Sequence, residues 1–187
     1  MPLNSGSQVY FLGGLHDMKY RNDVWLLRLG ASPPWLEVSR HQDPIRAGPP
    51  GSVTRCSKWS GRMSFGAALA TVSRGRMALY ICGGQNAVGT LGDVWASEDS
   101  GQTWFCMCQN PPFKDRVDPG LVTVPGRYGQ LILCGGWSTH FCLQPSPEVW
   151  TSSDAGATWE QVGPPAEFSG RARPLLAWAP GQSPAGS

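Results

Sequence analysis

The fold is decided by the stretch LYICGGQNAVGTLGDVWASEDSGQTW, residues 79–104, because its pattern occurs three times in the chain. In each copy an apolar run ends in Gly-Gly, an acidic residue directly precedes Val-Trp, and a second Trp follows. The other two copies run from Val9 to Trp35 and from Leu131 to Trp159. The second glycine and the first Trp are 11, 11 and 14 residues apart, and the two Trp are 10, 9 and 9 apart. This regularity indicates a repeat protein.

Each repeat is predicted to form a set of short antiparallel β-strands. The apolar runs are brief and bounded by Gly, Pro and Ser, and no segment shows a 3.6-residue stripe with caps, which favours strands over helices. The Gly pairs are 70 and then 52 residues apart, and a period near 50 is typical of four-stranded units. Strand sets are predicted at about 8–39, 62–108 and 116–163, with an extra strand at 170–178 and a flexible tail at 179–187.

The Gly-Gly, Asp-Val-Trp and second Trp resemble the kelch repeat of β-propellers, including the galactose oxidase type, over about residues 8–163. The resemblance implies blades of four antiparallel strands around a central channel, with Trp25, Trp95 and Trp150 packed between blades. The chain supplies about three blades, and a closed propeller needs at least four. We therefore predict one all-β domain over 1–187 that forms an incomplete or open β-propeller.

Two of the repeats share a second motif, S-x-D-x-G-x-T-W, in the turn that ends at the last Trp. The motif resembles the Asp box of sialidases and related propellers, which implies a structural role. An Asp carboxylate accepts backbone N–H groups of such a turn, and Gly supplies the positive φ. We predict a turn-stabilising role and no catalytic role for these carboxylates. The residues of this structural turn are Ser97, Asp99, Gly101 and Trp104 in one repeat and Ser152, Asp154, Gly156 and Trp159 in the other.

One face of such a propeller is predicted to carry all the long loops, at 15–22, 40–61, 85–92, 109–116 and 137–147. Binding residues are concentrated on loops that a rigid scaffold positions, and Tyr, Trp and Arg are common interface hot spots. We therefore predict a binding site on this face. Its candidate contact residues are His16, Lys19, Tyr20, Arg21, Asn86, Trp137, His140 and Phe141.

Composition and motifs favour a binding protein over an enzyme. Fifteen Lys and Arg against thirteen Asp and Glu give a net charge of +2, and the cations are scattered, so neither nucleic acid nor a membrane surface is expected as a partner. No motif identifies a catalytic or metal-binding residue, and no cofactor is expected. We predict a kelch-type module that binds a protein partner without catalytic activity. The alternative is a carbohydrate-binding or sialidase-like propeller fragment.

The six cysteines and the chain ends favour a cytoplasmic protein. Cys82 and Cys134 precede the Gly pairs, where a small buried hydrophobe fits, and Cys106-x-Cys108 lacks the second half of a zinc pattern. We expect reduced thiols, no signal peptide and no membrane span. Bare blade edges invite association, so we also expect a homodimer or a soluble aggregate through the open edges, and two copies would suffice to close a six-bladed ring. The alternative is that the chain is a fragment of a longer propeller.

Overall fold

The computed structural model describes residues 7–42, 58–71, 77–138, 144–163, 167–177 and 179. Within these ranges every regular element is a β-strand, and the paired strands are antiparallel. The predicted all-β class is therefore confirmed. The same ranges contain no helix that is long and apolar enough to cross a membrane.

The described strands form three larger sheets and one short hairpin. Sheet I contains β1 (Gln8–His16), β2 (Lys19–Arg28) and β3 (Trp35–Ser39). Sheet II contains β4 (Gly66–Thr71), β5 (Met77–Asn86), β6 (Gly89–Ser97) and β7 (Phe105–Cys108). The remaining strands are β8 (Gly120–Thr123), β9 (Leu131–Cys134), β10 (Trp137–Ser138), β11 (Gln144–Pro145), β12 (Val149–Ser152) and β13 (Glu160–Gln161). Sheet III has the order β8-β9-β12-β13, and β10 and β11 form the short hairpin.

The three sheets coincide with the three repeats. Sheet I lies within 8–39, sheet II within 62–108 and sheet III within 116–163, with the first containing three strands and the others four. Some strands are shorter than the apolar runs suggest. β9 begins only at Leu131, because residues 125–129 form turns in which two glycines adopt positive φ.

Two connections that were expected to be long loops are tight hairpins. β1 and β2 are joined by the turn Asp17–Met18, and β5 and β6 by the turn Ala87–Val88. The long loops predicted at 15–22 and 85–92 are therefore wrong. The first turn is tight because Asp17 and Met18 both adopt positive φ, 48° and 58°, which suits a two-residue hairpin and is uncommon for residues other than glycine.

The extra strand predicted at 170–178 is absent from its described part, since 167–177 contains no β-strand. The segment nevertheless follows sheet III, because the Gly136 N–H donates to the Arg171 carbonyl at 2.8 Å. Pro174 has no N–H and therefore interrupts any regular ladder there.

The core consists of two apolar clusters, one between each pair of consecutive sheets. Side chains alternate along β5, so that Leu79 and Ile81 face sheet I, while Ala78, Tyr80 and Cys82 face sheet III. Sheet II is thus covered on both faces, and sheets I and III are the ends of the array. The first cluster contains Val24, Trp59, Leu79, Ile81, Trp95 and Trp104, and the second is built around Tyr80, Val94, Phe113, Leu131, Leu133, Trp150 and Trp159.

Candidate functional site

The turn before β7 is closed by the carboxylate of Asp99. Its Oδ1 accepts the Ser97 hydroxyl at 2.8 Å and the N–H groups of Gln102 and Thr103 at 3.0 and 2.8 Å, and its Oδ2 accepts the Thr103 hydroxyl at 2.5 Å. Burial raises the pKa of Asp99, but these hydrogen bonds outweigh burial and hold the pKa below its ordinary value. Both oxygens are thus engaged within the turn, and the group stays ionised instead of serving as an acid.

The turn before β13 repeats this arrangement. Asp154 accepts the Ser152 hydroxyl at 2.8 Å, the Thr158 N–H at 2.9 Å and the Thr158 hydroxyl at 2.6 Å. The Ser152 hydroxyl in turn accepts the Gly156 N–H at 2.9 Å, and the Trp159 indole donates to the Gly156 carbonyl at 3.0 Å. The indole that fills the core therefore also anchors its own turn.

These two turns also bring each sheet against the preceding one. A Cβ on Gly101 would lie 2.9 Å from Cγ1 of Val24 in sheet I, and a Cβ on Gly156 would lie 2.7 Å from Cγ1 of Val94 in sheet II. The valine of one repeat thus packs on the turn glycine of the next, at a distance that leaves no space for a side chain.

At the other edge of the array, a fully buried arginine joins sheet I to sheet II. The Arg62 N–H donates to the Arg21 carbonyl at 3.1 Å, and the Arg62 carbonyl accepts the Gly14 N–H at 3.0 Å. Its guanidinium reaches sheet II, where it donates to both carboxylate oxygens of Asp93, at 2.6 and 3.0 Å, and to the Gly83 carbonyl at 3.0 Å. The backbone of Arg62 is therefore bonded to one sheet and its side chain to the next.

A second buried arginine joins sheet II to sheet III in the same way. The Arg116 backbone bonds to Leu91 at 3.0 Å and Gly84 at 2.7 Å, and its guanidinium donates to Glu148 Oε2. The same oxygen accepts the Trp150 indole N–H at 3.0 Å, as Asp93 accepts the indole of Trp95 in sheet II. We call each such set of arginine, acid and Trp a joint. The sequence did not predict these arginines, although Arg62 and Arg116 precede their acids by 31 and 32 residues.

The described contact residues predicted from sequence lie along one edge of the molecule, formed by the tips of the β1–β2 and β5–β6 hairpins and by the described base of the β10–β11 hairpin. Neighbouring hairpins are connected by the joint segments, because Met63 pairs with Gln85 in the second hairpin and Val117 pairs with Trp137 in the third. We call this the hairpin-tip edge. His16, Lys19, Tyr20 and Arg21 are at its first hairpin, Asn86 at its second and Trp137 at the base of its third, while His140 and Phe141 lie outside the described residues.

Three of the predicted contact residues are engaged in the fold. Arg21 is half-buried, with Nε 3.7 Å from Asp23 Oδ1, and its carbonyl holds a joint arginine. The Asn86 side chain accepts the Val88 N–H at 2.9 Å and donates to Ser60, so it shapes its own hairpin. Tyr20 is half-buried, and its backbone packs directly on Gly61, because a Cβ added to Gly61 would lie 2.3 Å from the Tyr20 carbonyl oxygen.

Apolar side chains are the most exposed feature of this edge, and the sequence-based prediction missed two of them. Met18 is 87% and Val88 93% exposed, each at the centre of a hairpin turn. Trp137, which was predicted, is 39% exposed at the base of the third hairpin. The signal for Met18 and Val88 was an apolar residue at the middle of a tight turn, where Gly, Asn or Asp is usual.

Outside this edge, the described residues offer few groups suited to chemistry. No three His, Cys, Asp or Glu side chains among them are placed to hold a metal ion. The thiols of Cys82 and Cys134 are buried and free, and burial raises their pKa, which suppresses the reactive thiolate.

A scan against protein-family models found no match, and a search of the curated proteins found none either.

Proposed function

We propose that the chain is a kelch-type β-propeller module that binds a protein partner through the hairpin-tip edge, without catalytic activity. The observation that carries this proposal is the exposure of Met18 and Val88 at the centres of two neighbouring hairpins. A side chain at the middle of a two-residue turn contributes no burial to the fold. A single exposed apolar residue is ordinary, but one at the centre of each of two adjacent turns, with Trp137 partly exposed at the base of the third hairpin, suits a surface that is buried by a partner.

The chemistry of the edge favours a protein over a charged ligand. Methionine adapts to irregular apolar surfaces, and Trp is frequent among interface hot spots. The charges at the first tip are mixed, since His16 lies 3.3 Å from Asp17 and Lys19 is exposed beside them. Such a tip has no strong field of one sign, so apolar contact supplies the affinity.

The propeller part of the proposal is supported by the repeated joint. Three consecutive antiparallel sheets pack face to face through large Trp side chains, and each internal contact uses an arginine bonded to the acid of the next sheet. An array of like units in which each contacts its neighbours is the arrangement from which propellers are built.

The proposal is tested by affinity capture with the full chain as bait and quantitative mass spectrometry as readout. The variant Met18→Glu with Val88→Glu places charge on two tips and leaves the joints intact. The control is Phe105→Glu, which changes an exposed apolar residue near the opposite edge, at the start of β7. We expect the parent and the control to recover the same partner in equal amounts, and the double variant to recover at least tenfold less of it.

Equal recovery by all three baits would contradict the hairpin-tip edge as the binding site. A glycan array and a fluorogenic sialoside assay test the carbohydrate alternative in parallel. Specific glycan binding, or turnover above a heat-inactivated control, would replace the proposed function. Circular dichroism of each variant shows whether a lost partner reflects a lost fold.

A further inference from the structure

Among the described residues, the first repeat contains the acid of a joint without the arginine. Asp23 is the counterpart of Asp93 and Glu148, and its Oδ2 accepts the Trp25 indole N–H at 2.9 Å, as in the other repeats. Its Oδ1 is buried and has no hydrogen-bond partner within the described part of the chain. The nearest cationic group, Nε of Arg21, is 3.7 Å away on the same strand, which is beyond hydrogen-bond distance.

A nearby lysine does not fill this position. The Lys58 ammonium donates to the Ser39 hydroxyl at 2.6 Å and to the Arg40 carbonyl at 2.7 Å. Burial lowers its pKa to about 8, and Asp23 acts on it only as a charge that raises the pKa. Asp23 Oδ1 is therefore a buried acceptor placed where a joint arginine binds in the other repeats.

The last described segment contains the arginine of a joint but lacks the acid. The Arg171 carbonyl accepts the Gly136 N–H at 2.8 Å, as the carbonyls of Arg62 and Arg116 accept the N–H of Gly14 and Gly84. Its guanidinium is exposed and lies 5.9 Å from the centre of the Phe168 ring. Among the described residues it forms no ion pair, so the half-joint at this end is complementary to the one at Asp23.

The sheet faces at the two ends are incomplete in the same way. Val9, Phe11 and Trp35 of sheet I are 52%, 58% and 48% exposed, whereas their counterparts in sheet II, Leu79, Ile81 and Trp104, are at most 3% exposed. At the other end, Val149 is only half-buried, although its counterparts Val24 and Val94 are fully buried under a following sheet. Sheet I thus lacks a neighbour of the kind that sheet III would provide, and sheet III lacks a neighbour of the kind that sheet I would provide.

We propose that sheet III of one copy of this chain docks on sheet I of a second copy, with Arg171 of the first bonded to Asp23 of the second. The chain itself carries both halves of the joint, opposite in charge and bordered by apolar faces, so a second copy is the occupant that completes both ends. The contact is head-to-tail, and two copies that each use both ends form a closed ring of six sheets. This inference rests on the repeated joint and is independent of what binds the hairpin-tip edge.

The test is the oligomeric state of the full chain by size exclusion with light scattering and by sedimentation. The variants are Asp23→Asn, which keeps an acceptor for the Trp25 indole, and Arg171→Gln. We expect the parent to be a dimer and each variant to dissociate with a Kd at least tenfold higher. An equimolar mixture of the two variants has one intact joint per ring, because Arg171 of the first variant meets Asp23 of the second, and we expect an intermediate Kd.

Three results would overturn the proposal: a monomeric parent at tens of micromolar, dimers unchanged in both variants, or a mixture no tighter than its components. The control is Arg127→Gln, an exposed arginine outside the joints, which should dimerise like the parent. Thermal unfolding of each variant shows that the monomers are folded. If the dimer is lost only in the double variant Met18→Glu with Val88→Glu, self-association belongs to the hairpin-tip edge. The failure of this inference is thereby distinguished from the failure of the proposed function.

Discussion

The contact between sheets I and II and the outer face of sheet I use the same positions of the repeat, yet one is closed and the other open. In the contact, Leu79, Ile81 and Trp104 are buried and Asp93 is bound by an arginine. On the outer face, the corresponding apolar side chains are exposed and Asp23 has an unbonded oxygen. The difference shows that a sheet of this kind completes its core only with a neighbour, as in other repeat arrays.

The two kinds of interaction in a closed contact have different roles. Burying an aliphatic or aromatic side chain stabilises by about 1.5–3 kcal/mol, so the apolar cluster supplies the free energy. A buried ion pair contributes little net stability, although breaking it is costly. Because Arg62 bonds to sheet I by its backbone and to Asp93 by its side chain, the pair sets the position of one sheet on the next.

The largest contrast is expected between Asp93→Asn and Asp23→Asn. The first leaves the guanidinium of Arg62, which is fully buried, without its counter-charge, and we expect a loss of about 3–5 kcal/mol in the free energy of unfolding. The second removes a carboxylate that no described arginine hydrogen-bonds, with Arg21 3.7 Å away, and we expect a change within about 1 kcal/mol. Urea denaturation at concentrations where both variants are monomeric measures the two values. Equal losses would show that sheet I does not lack a joint.

A second contrast compares apolar residues at one repeat position. Ile81→Ala creates a cavity in a fully buried site, and we expect a loss of about 2–5 kcal/mol. Phe11→Ala removes a side chain that is more than half exposed, and we expect a change within about 0.5 kcal/mol in the monomer. Thermal and urea unfolding of both variants provide the measurement. A large, concentration-independent loss for Phe11→Ala would mean that this face is covered within the chain itself.

The second glycine of each pair provides a third and smaller contrast. Gly84 and Gly14 have similar positive φ, 97° and 103°, so alanine at either site carries a similar backbone penalty of about 1–2 kcal/mol. A Cβ at Gly84 would also lie 2.7 Å from the Met63 carbonyl oxygen, whereas one at Gly14 meets nothing within 4 Å. We expect Gly84→Ala to lose about 1–3 kcal/mol more than Gly14→Ala in urea unfolding. No difference would mean that the Met63 segment shifts at no cost.

The sequence predicted the features that depend on local pattern. The strand sets and the tryptophans at fixed positions follow from short apolar runs and from turn residues within one repeat. The hairpin at Asp17–Met18 was not predicted, because its positive φ values fall on residues other than glycine and its neighbours are polar, as in a loop. A tight turn of that kind is decided by the pairing of the two strands and not by the turn residues.

The joints were missed for a different reason. Arg62 and Asp93 belong to different repeats, and the repeat was defined from its Gly-Gly to its second Trp, which leaves the arginine between repeats. The signal was present as an arginine 31 or 32 residues before two of the three motif acids, Asp93 and Glu148. The signal for the exposure of Met18 and Val88, an apolar residue at the middle of a tight turn, becomes readable only once the two hairpins are known to be short.

The smallest expected effect is on the pH dependence of stability, and it compares the last turn of each sheet. The turns of sheets II and III contain a hydrogen-bonded carboxylate, whereas the turn of sheet I at 29–35 contains no acid. Hydrogen bonding lowers the pKa of Asp99 and Asp154 below the ordinary 3.8 despite burial, which acts in the opposite direction. The unfolded chain therefore takes up protons first as pH falls, and the stability from these turns, complete well above pH 3.8, is lost as pH falls toward the folded pKa.

The double variant Asp99→Asn with Asp154→Asn removes these two titrations. We expect it to be less stable than the parent at pH 6, by less than about 1 kcal/mol per site because water screens both carboxylates, and to lose less stability between pH 5 and 3. Urea midpoints at pH 6, 4 and 3 make the comparison. The matched variant Glu37→Gln changes an acid of β3 that pairs with Arg40 and accepts no turn amide among the described residues, and it should follow the parent curve. Parallel curves of urea midpoint against pH for the parent and the double variant would mean that the ionised carboxylates do not stabilise these turns. The turns of sheets II and III would then be no more stable than the turn of sheet I.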